Sequence, residues 1–166
     1  MPDLTWDKIV LSTPYLLLAT HQQRINYKGC CMQRRISVKT GSREELVDIT
    51  SQIKALVSSS GVRSGLVSVY VQGATAAIMI QENWDDSVQT DVINFLRRII
   101  PQGVWLHDKQ DGNGDSHLKA GLVGPSENVP IIEGNLGLST WQNIFLCEFD
   151  GPRSDRQVVC TIIDDD

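Results

Sequence analysis

The stretch LVSVYVQGATAAIMIQENWD, residues 66–85, places two apolar runs close together with turn-forming residues between them. Leu66–Val71 is rich in β-branched residues and reads as a strand, and Ala76–Ile80 reads as a second. Gly73 between them is expected to mark a bulge or a hairpin turn. Gln81-Glu82-Asn83 then ends the second run and leaves Glu82 at the mouth of a strand.

Working outward, Ile36 and Val38 alternate with polar residues in a half-buried strand pattern that begins at Arg34. Ser42 followed by Glu45 has the form of a capping box, so a helix is expected from there to Gly61, with Leu46, Ile49, Ile53, Leu56 and Val57 on one face. On the other side, Asp85 or Asp86 caps a second helix with the stripe Val88, Val92, Phe95, Leu96 and Ile99, closed by Pro101. Strand patterns follow at Val129–Glu133, around Leu136–Leu138, at Asn143–Phe149 and at Gln157–Ile163, the last two joined by the Asp150-Gly151-Pro152 turn. Strand, helix, two strands, helix and a run of strands is not the alternation of a parallel βαβ protein. It predicts an α+β fold with two main helices packed on largely antiparallel sheet.

Composition narrows the class. The chain has 166 residues, 41% hydrophobic and 21% charged, the size and balance of one globular domain. No apolar run is long enough to span a bilayer, and the net charge of -5 argues against nucleic-acid binding, so neither membrane nor nucleic acid is expected as a partner. Cys30, Cys31, Cys147 and Cys160 form neither a C-x-x-C pair nor a disulfide framework, and reduced thiols in the cytoplasm are expected. Residues 1–33 show no sustained periodicity and are expected to be an N-terminal extension to a single domain, 34–166.

Chemistry-bearing groups concentrate in Trp105–Gly121, WLHDKQDGNGDSHLKAG, where His107 and His117 bracket Asp108, Asp111, Asn113 and Asp115. Imidazoles and carboxylates are zinc ligands, though this spacing is not that of a helical zinc motif. A calcium loop is excluded, because Ser116 and Leu122 stand where glycine and the bidentate glutamate are required. His117-Leu118-Lys119-Ala120 reads as the first turn of a short helix capped by Asp115 or Ser116, a seat for an anion. Glu82 is a candidate base or ligand from elsewhere in the chain. Glu148 is expected either to face water or to lie buried against Arg153 or Arg156, and those two arginines could instead clamp phosphate. Trp141 and Gln142 could form a pocket wall.

GATAAIMIQENWD, HDKQDGNGDSHLKAGLVGPS and VPIIEGNLGLSTWQNIFLCEFDGPR, in this order, resemble the YjbQ family from about Arg34 to Ile163. That resemblance implies a β-sandwich flanked by helices, assembled as a homotrimer with sites near subunit contacts. By position it implies a histidine pair at His107 and His117, an acidic strand end at Glu82-Asn83, a Thr-Trp-Gln segment at Trp141-Gln142 and an arginine turn at Arg153. Gly73 departs from the histidine that many members carry there. The expected activity is that of a secondary thiamine-phosphate synthase, a transferase joining a pyrimidine pyrophosphate to a thiazole phosphate. His107, His117, Glu82 and Asp108 would be catalytic, with Arg153, Ser116, Trp141 and Gln142 holding the phosphorylated metabolite. A divalent metal, magnesium or zinc, would sit on His107, His117 and Asp115. The alternatives are a metal-dependent hydrolase of a small phosphorylated or acyl compound and a non-catalytic metabolite-binding protein.

Overall fold

The computed structural model describes residues 31–165. Its strands are β1 (Cys31–Val38), β2 (Glu45–Asp48), β3 (Gly65–Val71), β4 (Ala76–Glu82), β5 (Ser126–Ile132), β6 (Asn135–Leu136), β7 (Gln142–Glu148) and β8 (Arg156–Asp164). The helices are α1 (Thr50–Ser60), α2 (Asp86–Ile99) and α3 (Gly114–Val123). One antiparallel sheet runs β1-β8-β3-β5-β6 and the other β2-β7-β4. The α+β architecture is therefore as expected, with α3 added to the two main helices. Residues 1–30 of the expected extension lie outside the described residues. Cys31 to Gln33, assigned to it, already pair with Ile163 to Thr161 in β1.

Two apolar clusters explain the layering. Val67, Val69, Val158 and Ile162 of the first sheet meet Ile78, Ile144 and Leu146 of the second, with Ile53 and Val57 of α1 joining them. The alternate residues of β4 and β7 face the other way, where Ala77 and Cys147, with Phe149 just past β7, receive Ile93 and Leu96 of α2 and Ala120 of α3. Both faces of β4 and β7 are thus covered, which is why their sequences read as nearly continuous apolar runs. Burial pushes the Cys147 thiol to about 12 and Cys160 to about 11, so both behave as small apolar side chains.

Three expectations are corrected. Residues 72–75 form neither bulge nor hairpin: β3 and β4 lie in different sheets, and the link carries the chain across the sandwich. The first helix starts at Thr50, because Glu45–Asp48 pairs with Phe145–Glu148 as β2. Leu46 packs into the outer cluster and Val47 into the inner one, an alternation only a strand provides. The Ser42 N–H does donate to Glu45 Oε1 at 3.1 Å, so half of the predicted box forms, but it closes a turn. In α2, capped as expected by Asp85, the buried residues are Ile93 and Leu96, while Phe95 and Ile99 of the predicted stripe stay exposed.

One end of the sandwich collects the crossovers. Val38 pairs with Arg156 and Val71 with Val158, while Glu45 and Ala76 both pair with Glu148, so the links 39–44, 72–75 and 149–155 lie together. The helix α2 starts at the far end of β4 and runs back over the second sheet, returning the chain to the crossover end for the histidine loop.

Candidate functional site

The two histidines converge. His107 lies in a 3-10 turn, Leu106–Lys109, and His117 in the N-terminal half of α3; their rings are 4.9 Å apart between centroids and nearly perpendicular at 86°. Asp108 holds them there, because its Oδ2 accepts the Trp105 N–H and its Oδ1 the Gly114 N–H, both at 2.8 Å. One carboxylate thereby clasps the starts of both elements, which gives Asp108 a positioning task beside the ring pair. The loop is further fixed by the Trp105 indole N–H on the Pro101 carbonyl at 2.7 Å. The α3 cap is Asn113, not Asp115 or Ser116 as expected.

Two polar atoms here are shut off from water with no hydrogen-bond partner among the described residues: His107 Nε2 and Asn113 Oδ1. Asp111 Oδ2 is 3.7 Å from His107 Nε2, beyond hydrogen-bonding distance. Buried polar groups are nearly always satisfied, so such a pair marks a place built for something else.

The Asp-Gly-Pro-Arg turn is tied to this loop. Asp150 Oδ2 accepts from Asn113 Nδ2 at 3.2 Å and from Arg153 Nη2 at 2.7 Å. The turn is rigid: the Arg153 N–H donates to Thr40 Oγ1 at 2.8 Å, and the Thr40 N–H donates to the Arg153 carbonyl at 2.9 Å. Gly151 lies so close to the Ser42 carbonyl that a Cβ would sit 2.2 Å from it. Arg153 therefore stands, half exposed, on a fixed base linked through Asp150 and Asn113 to the histidines.

Asp115 and Ser116 are fully buried behind the histidines and have other partners. Asp115 accepts from Arg43 Nη2 at 2.9 Å and from Lys119 Nζ at 2.7 Å; Lys119 also reaches Glu44 Oε1 at 2.5 Å, and Glu44 pairs with Arg97. Burial raises the Asp115 and Glu44 pKa values, but the hydrogen bonds and charges of these cations outweigh it and hold both below their ordinary values. Ser116 Oγ donates to the Phe149 carbonyl at 2.5 Å. These groups fasten α3 to the crossovers rather than open toward a ligand. Glu148 is likewise buried, with Arg156 Nε at 2.7 Å, and Arg156 Nη1 fills the space a side chain at Gly73 would need. Among the described residues no group of three or more His, Cys, Asp and Glu side chains could hold a metal ion. Among the described residues the two imidazoles have no third ligand for the expected magnesium or zinc once Asp115 is engaged with Arg43 and Lys119.

Glu82, Trp141 and Gln142 are elsewhere. Glu82 pairs with Gln142 at the end of β4 opposite to Ala76, about 20 Å from the crossovers at about 3.3 Å per residue. Gln142 Oε1 is occupied by the Ser139 N–H at 2.9 Å. The chain therefore has a histidine end with Arg153 and a tryptophan end with Glu82, not one cleft. Arg43, Glu44 and Trp84 were not singled out by the sequence, and Asp150 was read only as a turn residue; the charge density of Ser42–Glu45 and the tryptophan just past Glu82 could have flagged the first three.

The family model described as UPF0047 protein YjbQ-like matches residues 34–165. The UPF0047 protein of Methanocaldococcus jannaschii is 47% identical over 131 residues, which cover 79% of this chain and 94% of that protein. That of Archaeoglobus fulgidus is 42% identical, covering 75% and 96%. The crystal structure of a Sulfolobus solfataricus protein, described as YbjQ-like and of unknown function, has a TM-score of 0.79 at 36% identity and covers 82% of this chain and 99% of that one. These descriptions carry no activity, and that corrects the functional expectation. Nothing among the relatives indicates thiamine-phosphate synthesis, and the hydrolase and metabolite-binding alternatives gain no support from them.

Proposed function

The chain belongs to the YjbQ-like UPF0047 family, and from that premise we propose that its histidine end is a proton-transfer site for a small phosphorylated metabolite, closed by assembly as a homotrimer. The observation that carries this is the orthogonal His107–His117 pair with His107 Nε2 and Asn113 Oδ1 buried and without a hydrogen bond among the described residues. Two imidazoles within reach of one ligand let one accept a proton while the other supplies one. The half-exposed Arg153 guanidinium favours an anion beside them. A divalent ion, magnesium or zinc, enters this reading only with donors from the phosphate or from a second subunit. Three reduced thiols among the described residues suit a cytoplasmic setting, and no described helix is long and apolar enough to cross a membrane.

Titration with inorganic phosphate, followed by the histidine ring resonances, tests the site. Both rings are expected to shift saturably, His117→Ala to remove the response of His107, and Arg153→Ala to weaken binding about tenfold. Rings that ignore phosphate would sink the proposal.

Assembly is supported by apolar side chains flanking the histidines. Leu106 is 85% and Leu122 61% exposed, with Leu118 beside them and Phe95 and Ile99 on α2. Apolar exposure on this scale marks an interaction surface. Light scattering is expected to give three times 18.4 kDa for the chain and one times for Leu122→Glu. A wild-type chain running as a monomer would refute the trimer.

A further inference from the structure

The tryptophan end carries a feature that the proposed proton chemistry does not use. Trp84 follows the end of β4 and Trp141 precedes β7; their rings meet edge to face, 4.9 Å between centroids at 84°, while remaining 70% and 51% exposed. With Glu82 they line an open groove of about 400 Å³. The Glu82 carboxylate has no hydrogen bond or ion pair among the described residues.

The frame beneath the indoles is rigid. The Asn83 N–H donates to the Trp141 carbonyl at 3.2 Å, its Nδ2 donates to Asp48 Oδ2 at 2.8 Å, and its Oδ1 accepts from Gln89 Nε2 at 2.6 Å. Asn143 Nδ2 donates to the same Asp48 oxygen at 2.7 Å. These bonds tie β4, β7, β2 and α2 together directly behind the groove. Two indoles are thus presented to solvent from a fixed base, although burying them would be favourable.

Perpendicular aromatic rings beside an unpaired carboxylate are complementary to one class of ligand. An indole face attracts a cation through its quadrupole, and a quaternary ammonium, weakly hydrated and methyl-covered, suits such a surface better than a tightly hydrated lysine ammonium. The carboxylate supplies the counter-charge, and the net charge of -5 favours a cation over an anion. We propose that Trp84, Trp141 and Glu82 form a binding site for an organic cation of the quaternary ammonium type.

The site lies at the end of β4 opposite to the crossovers, about 20 Å along the strand, so its test is separate from that of the phosphate site. The full chain, labelled with 15N at its indoles, is titrated with tetramethylammonium chloride and with choline. Sodium chloride at equal ionic strength and 3,3-dimethylbutan-1-ol, the neutral isostere of choline, serve as controls. The Trp84 and Trp141 indole signals are expected to move saturably with both cations, while Trp105, held on Pro101, stays in place. Trp84→Ala, Trp141→Ala and Glu82→Gln are each expected to weaken choline binding about threefold. Equal binding of the neutral isostere, indifference to Glu82→Gln, or no saturable response to either cation would overturn the proposal.

Discussion

Glu148→Ala is expected to destabilise the fold by about 3–5 kcal/mol, read as a lowered urea midpoint with unchanged slope. Glu148 is fully buried and accepts five hydrogen bonds: from Arg156 Nε at 2.7 Å and Nη2 at 2.5 Å, from Thr40 Oγ1 at 3.2 Å, and from the Phe149 and Asp150 N–H groups at 3.0 and 2.9 Å. Its removal strands the buried Arg156 guanidinium, whose only other bond among the described residues is to Thr75 Oγ1 at 2.9 Å, and takes the acceptor from the Asp150 N–H, while the Phe149 N–H keeps the Thr75 carbonyl at 3.1 Å. Breaking a buried pair from one side costs more than deleting it, so Glu148→Leu with Arg156→Met should cost less than Glu148→Leu alone. A single-variant loss below about 1 kcal/mol would show that the pair is solvated and that the crossover end is not anchored through it.

Lys119→Met carries the second large effect, about 3 kcal/mol at neutral pH. Lys119 is almost fully buried and joins Asp115 and Glu44, two carboxylates whose other cations, Arg43 and Arg97, approach from the solvent side. The pH dependence identifies the mechanism. Asp115 and Glu44 have folded pKa values lowered from 3.8 and 4.5, so their contribution is present above those values and is lost as pH falls through the folded ones. Without Lys119, burial acts against the carboxylates less opposed, and their folded pKa values rise toward or past the unfolded ones. The stability gap between wild type and variant should therefore narrow as pH falls below 4.5. Urea midpoints measured from neutral to acid pH check this, and a gap independent of pH would assign the loss to packing alone.

The Lys119 network lies on the helix that carries His117, and that bears on the proposed chemistry. Asp108 clasps the two elements that carry the rings, Lys119 and Asp115 hold α3 from beneath, and Asp150 links Asn113 to Arg153. Ionic groups that composition alone would place in a reactive centre instead make that centre rigid, a condition for holding a reacting group in register.

The sequence by itself determined what depends on local pattern. Apolar and β-branched runs marked β3, β4, β7 and β8, periodicity and Gly61 marked the end of α1, Asp85 marked the start of α2, and the order of elements excluded a parallel βαβ fold. It also brought forward the histidine pair and allowed for a buried Glu148–Arg156 pair. Only the tertiary structure decided which sheet each strand joined, since Gln72–Thr75 reads equally well as a turn or a crossover. It turned Glu45–Asp48 from helix to strand, because Leu46 and Val47 serve two different cores. It also separated Glu82 and Trp141 from the histidines by the length of β4, a distance that residue spacing does not encode. Local propensity acts over a few residues, whereas partners such as Asp115 with Arg43, or Trp84 with Trp141, are chosen by packing between segments far apart in the chain.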